Sequence, residues 1–315
     1  MNRGAAVEEL LAGGSGVEVA RSPRARPALT GKRARTVLAL LAVYLIWGST
    51  YLGIRFALEG FAPFQMIGVR FLIAGAILYA VLRRRGAPAP TRSEWKASAL
   101  VGGLLLVGGT GAVAFAEQWV ASGLAAVWIA TMPLWAALFT GLFGRWPRRR
   151  EWLGLGLGLV GVFLLNREGN LQANPLGVIA LTFATISWAF GSVWSRRLSL
   201  PAGLMASAAE MLTAGVVLIG LSVLSGERAP TPNARSMLAL AYLAVFGSLV
   251  AFSAYGYLLR NVKPTIATSY AYINPIVAVV LGVALASEPI GSAGLIAMLI
   301  ILTGVALVMT DRDRR

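Results

Sequence analysis

Cysteine and histidine are both absent from the 315 residues. Disulfide bonds, thiolate nucleophiles, imidazole metal ligands and histidine proton relays are therefore excluded. Charge is scarce as well. Asp, Glu, Lys and Arg make up 13% of the chain, against the roughly 25% usual in soluble domains. No Gly-x-x-x-x-Gly-Lys loop occurs to cradle a nucleotide phosphate, so ATP is not the direct energy source. No metal cluster or cofactor-binding motif is legible, and no cofactor is expected.

Apolar residues take up the space that charge leaves, at 57% of the chain. Runs such as 36–56 and 290–310 are almost free of charge. Each reaches the roughly 20 residues that a helix needs to cross ~30 Å of hydrocarbon. The chain reads as an all-α polytopic membrane protein. Breaks at charges, Pro and Gly divide it into ten expected spans. The first five lie near 36–56, 62–82, 97–116, 120–143 and 151–166. The second five lie near 176–195, 203–224, 237–258, 265–286 and 290–310.

The formal charge of +15 does not indicate a nucleic-acid partner, because the basic residues fall between apolar runs rather than along one face. They are topology signals. With the amino terminus inside, 23 Lys and Arg residues fall on the cytoplasmic side and four on the other, leaving Arg70 within a span. Both termini are expected to be cytoplasmic and the protein to be multi-pass in the inner (plasma) membrane. Residues 1–35, rich in Ala, Gly, Arg and Pro, read as a disordered basic tail without the apolar stretch of a cleaved signal peptide.

The sequence also repeats itself. At an offset of 141, Trp47 falls on Trp188 and Arg55 on Arg196. At 142, Ala125 meets Ala267, Trp128 meets Tyr270, Pro133 meets Pro275 and Pro147 meets Pro289. Each copy, 36–166 and 176–310, holds five spans, an odd number, so the second enters the membrane inverted. Two inverted repeats around a central site are a recurring transporter design.

Several of these segments resemble one family. They are Trp47-Gly48-Ser49-Thr50-Tyr51, Gly68-Val69-Arg70-Phe71-Leu72, Ala116-Glu117-Gln118 before Ser122-Gly123, and Ser187-Trp188-Ala189-Phe190-Gly191-Ser192-Val193. Glu210-Met211-Leu212, Arg260-Asn261-Val262 and the run Ala267 to Pro275 extend the series. In order and spacing they resemble the EamA-type exporters of the drug/metabolite transporter superfamily, in its YedA-like branch. The resemblance implies a ten-helix fold with a central cavity, hairpins 3–4 and 8–9 acting as gates, and export of amino acids, other metabolites or drug-like compounds. One departure is visible: Trp146 stands where Glu288 stands in the second copy.

Candidate pathway residues follow from cost. A charge at a helix centre costs about 2.5–3.5 kcal/mol on insertion scales and is usually turned toward a cavity or a partner. Arg70 and Glu210 occupy nearly equivalent places in helices 2 and 7; they could serve substrate or proton coupling, or lie buried to fix packing. Glu117 closes helix 3, where the headgroup region is the plain alternative. Trp47, Tyr51, Trp188, Tyr255, Tyr270 and Tyr272 pair a flat apolar face with a polar tip, suited either to a solute cavity or to helix packing. Asn274 offers both donor and acceptor. Pro133 and Pro275 each free a carbonyl four residues back and are hinge candidates. Small-residue faces at Gly154 and Gly158, and at Ala293 and Ala297, admit close packing or a homodimer. The expected function is secondary transport of a small molecule across the lipid bilayer. A passive facilitator is the alternative, and a membrane-embedded enzyme or scaffold is a distant one.

Overall fold

In hydrocarbon a backbone amide has no water to bond to, so an all-α chain crosses as helices that satisfy their own polar groups. The computed structural model describes residues 28–142, 144, 146, 148–165, 174–262 and 269–312, and among these no residue is in a strand. The helices of the first half are α1 (Gly31–Ala57), α2 (Pro63–Arg84), α3 (Arg92–Ala116), α4 (Ser122–Leu142) and α5 (Arg149–Leu165). Those of the second are α6 (Pro175–Arg197), α7 (Leu204–Leu224), α8 (Ala234–Leu258, running on to Asn261), α9 (Tyr270–Ala286) and α10 (Ser292–Arg312). Seven of them, α1 to α4 and α6 to α8, are long and apolar enough to cross a membrane, and α9 and α10 contain shorter apolar stretches.

Local chemistry explains the ends. Thr91 accepts from the Glu94 backbone N–H while the Glu94 carboxylate accepts from the Thr91 N–H, a capping box that starts α3 five residues ahead of the expected 97. Asn233 and Ser236 make the same reciprocal pair at α8. Helical structure ahead of α1 begins at Ala28, within the stretch read as tail; residues 1–27 lie outside the described part. Pro133 does not kink a continuous helix. Turns at Ala130 and Thr131 interrupt α4, and Pro133 sits in the first turn of its second segment, where a missing N–H costs little. Pro275, by contrast, lies inside an unbroken α9.

Three helices widen to π-helical turns, at Val43–Trp47 in α1, Gly103–Gly111 in α3 and Leu243–Val250 in α8. Such turns recur at functional sites because they shift side chains around the helix.

Within residues 36–315 the helices pack in matched pairs. α1 lies on α8 and α9, and α6 lies correspondingly on α3 and α4. α2 packs on α7, α4 on α9 and α5 on α10. Glycine permits the closest approaches: a Cβ on Gly304 would lie 2.6 Å from the Gly154 carbonyl oxygen and 3.0 Å from the Gly158 nitrogen. The glycine face of α5 is thus spent on α10 within the chain. The outward surface is apolar, with Leu38, Leu41 and Leu45 on α1 and Ile73, Ile77 and Val81 on α2 exposed at helical spacing.

The loops joining α1–α2, α3–α4, α7–α8 and α9–α10 are bonded across one end of the bundle. Glu227 caps α2, its two carboxylate oxygens each accepting at 2.9 Å from the backbone of Phe64 and Gln65. Arg235 pairs with Glu59 at 3.1 Å, and the Thr231 N–H donates to the Gly60 carbonyl at 2.9 Å. Arg55 Nη1 donates to the Glu117 carbonyl at 3.1 Å. Ser287, in left-handed conformation, ends α9 and turns Glu288 back across the bundle. Its carboxylate accepts from the Ser122 N–H and hydroxyl, each at 2.9 Å, and from the Gly123 N–H at 3.1 Å. An anion thus sits on the free amides that open α4.

Candidate functional site

A cavity of about 100 Å³ lies between helices of both halves. From α1 it is lined by Trp47, Thr50, Tyr51 and Ile54, from α2 by Arg70 and Phe71, and from α3 by Thr110 and Val113. α4 adds Ala126, Ile129, Ala130 and Met132, and α6 adds Trp188. Phe252 of α8 and Tyr270, Ala271, Asn274 and Pro275 of α9 complete it. Aromatic faces and small polar tips dominate this wall, the usual make-up of a small-molecule site.

The π-helical turns place key groups. At the end of the α1 turn, Trp47 Nε1 donates to the Gly247 carbonyl in the α8 turn at 3.2 Å. The indole also meets Phe252, Tyr255 and Tyr270 at ring-centroid distances of 5.3, 5.2 and 5.0 Å. Its repeat mate Trp188 rests on Gly109, where a Cβ would come within 2.6 Å of the indole. Ser187 beside it donates to the Leu104 carbonyl at 2.7 Å, tying α6 to the α3 turn.

Arg70 is 4% exposed and enters from α2. Its Nε donates to Ser248 Oγ at 2.9 Å, and Ser248 in turn donates to the Leu243 carbonyl at 3.2 Å. The guanidinium carbon lies 5.2 Å from the Phe71 ring centroid. Gly247 leaves the room: a Cβ there would lie 3.0 Å from both Arg70 Nη2 and Thr50 Cγ2. Gly247→Ala is therefore expected to displace the guanidinium and destabilise the fold by roughly 1–3 kcal/mol, the usual cost of overpacking. Thermal unfolding in detergent checks this; an unchanged midpoint would mean that the neighbours yield freely.

Asn274 is buried at the cavity wall, and its amide nitrogen, oriented to donate, reaches the carbonyls of Tyr44 and Tyr270 at 3.2 Å each. One proton ties α9 to Tyr44 of α1 and the other bonds back within α9 to Tyr270, which leaves the amide oxygen as its accepting group. Beside it Pro275 frees the carbonyl of Ala271, another wall residue.

Of the residues singled out from sequence, Trp47, Tyr51, Arg70, Trp188, Tyr270, Asn274 and Pro275 meet at this cavity. Tyr255 stands behind it, against Trp47 and Tyr270. Glu210 is buried on α7 and is not among the lining residues; its backbone carbonyl lies against Gly102, and it forms no ion pair with Arg70. Pro133 lies outside the lining, and the side chain of Tyr272 falls outside the described residues. Glu117 lies in the α3–α4 turn, fully buried, with neither carboxylate oxygen hydrogen-bonded. Burial above all, then the nearby Glu288, pushes its carboxyl well above the ordinary carboxylate range, and Arg55 offsets part of this. Sequence reasoning did not single out Phe252, Thr110, Gly247 or the Glu288 cap. Phe252 carried one signal, lying one helical turn before Tyr255. Among the described residues no group of three or more His, Cys, Asp or Glu side chains could hold a metal ion.

Comparison with known proteins adds independent findings. Residues 34–167 and 175–310 each match the model of the EamA-like transporter family. The chain is 49% identical over 272 residues to the uncharacterized inner membrane transporter YedA of Escherichia coli (strain K12), covering 86% of this chain and 89% of that one. It is 27% identical to the protein PecM of Dickeya dadantii (strain 3937), covering 84% and 88% respectively. A solved crystal structure shares the fold with a TM-score of 0.63 at 22% identity, covering 90% of this chain and 99% of that one.

Proposed function

The chain belongs to the EamA-like transporter family, and we propose that it is a secondary transporter exporting a small metabolite, amino acid or drug-like compound by alternating access. On this reading ten helices span the inner membrane as two inverted repeats, 36–166 and 176–310, with both termini cytoplasmic. The observation that carries it is the aromatic cavity enclosed by helices of both halves. Three further findings support it: the family model matches the chain twice, α1 on α8–α9 is matched by α6 on α3–α4, and basic residues segregate to one side. The working partners are the bilayer and a small solute, with no cofactor, no nucleic acid and no catalytic step.

The same topology places the bonded loops on the extracytoplasmic face. The conformation is then closed outward, and access from outside requires the Glu288 cap and its neighbours to part. Alternating access needs two such states of comparable free energy.

The test is flux of labelled amino acids and organic ions in proteoliposomes, with and without an imposed pH gradient. Solute movement that saturates and follows the gradient is the expected result. Saturable flux indifferent to the gradient would favour a passive facilitator, and no flux of any solute would sink the transporter reading. Sidedness is read separately from single thiols in this cysteine-free chain. Ser93→Cys is expected to react only from the cytoplasmic side and Ser225→Cys only from outside; the reverse pattern would invert the topology.

A further inference from the structure

Among the described residues Arg70 is the one charged side chain in the cavity wall, and no carboxylate among them pairs with it. The ion pair formed among the described residues joins Arg235 to Glu59 elsewhere, and Glu210, the acidic residue nearest to equivalence in the repeat, makes none with Arg70. Of the guanidinium nitrogens only Nε has an acceptor, Ser248 Oγ. Ser248 spends its own proton on the Leu243 carbonyl, so its oxygen is fixed as an acceptor and holds the guanidinium in one orientation. Nη1 and Nη2 have no hydrogen-bond partner among the described residues, in a side chain 4% exposed. A cation held in this way inside a membrane is costly, and a partner of opposite charge is expected for it. The described residues supply none, which leaves that place to a solute.

We propose that the cavity selects organic anions: a carboxylate or similar head group docks on Nη1 and Nη2 of Arg70 while an apolar or aromatic body packs against Trp47, Trp188 and Tyr270. A planar two-oxygen group matches the two parallel donors that a guanidinium presents. The aromatic wall would by itself also suit a cation. Arg70 reverses that preference, since a cation brought into this small cavity meets a like charge at close range. The inference rests on the transporter reading for its biological meaning, but the site itself is testable by binding alone.

Permanently charged probes avoid leakage of neutral forms through the bilayer. Binding of benzenesulfonate and of trimethylphenylammonium to the detergent-solubilised full chain is measured by calorimetry, and flux of both is measured in proteoliposomes. Benzenesulfonate is expected to bind the native protein and to bind Arg70→Gln roughly tenfold or more weakly, as the loss of a charged hydrogen-bonding partner implies. Arg70→Lys should fall between, keeping charge without the fork. If Arg70→Gln does not fold, Ser248→Ala takes its place; it frees Nε and loosens the guanidinium, with a several-fold loss of affinity expected. Equal binding by native and altered proteins, or preference for trimethylphenylammonium, overturns the proposal. So does chloride alone displacing benzenesulfonate at equal concentration, which would make the site a halide site. Binding of benzenesulfonate with no flux of either probe, or of any solute in the panel above, would leave the anion site standing and sink the transporter reading. Flux of the cation without binding of the anion would do the reverse.

Discussion

Gly102→Val is expected to abolish the folded, detergent-stable protein, whereas Gly103→Val one residue on should leave it close to native. A Cβ at Gly102 would lie 2.7 Å from the Glu210 carbonyl oxygen and 3.1 Å from its Cα. These are backbone atoms of α7 and cannot rotate away as a side-chain end would. Nor can α7 retreat. On its other contact α2 is already at backbone distance: Cβ positions at Gly68 and Gly75 lie 3.1 and 3.0 Å from the nitrogens of Ile219 and Leu212, and that at Gly215 lies 3.0 Å from the nitrogen of Leu72. Helices in lipid associate through such close, well-fitted contacts rather than through a hydrophobic driving force, so losing the fit removes much of what holds them. Overpacking usually costs about 1–3 kcal/mol and occasionally more. A valine between two immovable helices belongs at the upper end. Gly103 has nothing within 4 Å of its Cβ position, which makes it a control for helix propensity and expression. Size-exclusion profiles and melting midpoints of the two variants should differ sharply. Equal behaviour would mean that α3 and α7 do not approach as described.

How much of this was legible beforehand varies with the range of the interaction. Helix placement follows from short-range patterning, and most ends lie within a few residues of those read from hydropathy. The α3 start was also local, written as Thr91-x-x-Glu94, and reading that capping box would have placed it at Arg92 rather than 97. Trp47 and Trp188 could be paired because they stand 141 residues apart, at matching places in the two halves that each match the family model. Rotation of a helix about its axis is different. On α7 nearly every face is apolar, so no polar stripe says which side meets the cavity. Glu210 was therefore grouped with Arg70 on charge and repeat position, whereas in the structure it stays out of the cavity lining and its backbone lies against Gly102 of α3. No short motif announces the wide turns in α1, α3 and α8. Contacts spanning a long stretch of chain, such as Gly247 with Arg70 or Glu288 with Ser122, lie beyond any local signal.

On the proposed topology and alternating-access reading, that last contact leads to a large functional expectation: Glu288→Gln should shift the protein toward an outward-open state. From a loop late in the sequence, the Glu288 carboxylate takes two backbone N–H groups and a hydroxyl at the start of α4. Space is arranged for it, since a Cβ on Gly282 would collide with Glu288 Oε2. In glutamine one oxygen becomes an NH2, and whichever it is faces an N–H donor. Hydrogen bonds to a charged group contribute about 1.5–3 kcal/mol each. Losing even one from the closed state alone shifts the equilibrium roughly tenfold. The Arg235–Glu59 pair at the same end is a different case. Its side chains are 53% and 35% exposed, and exposed pairs contribute about 0–1 kcal/mol. Glu59→Gln should therefore change little. Because the chain has no native cysteine, Thr110→Cys in the cavity wall reports access cleanly. Its labelling by an impermeant maleimide from outside should accelerate roughly tenfold in the Glu288→Gln background and stay near native with Glu59→Gln. Acceleration by Glu59→Gln alone would move the outer closure from the α4 cap to the exposed ion pair.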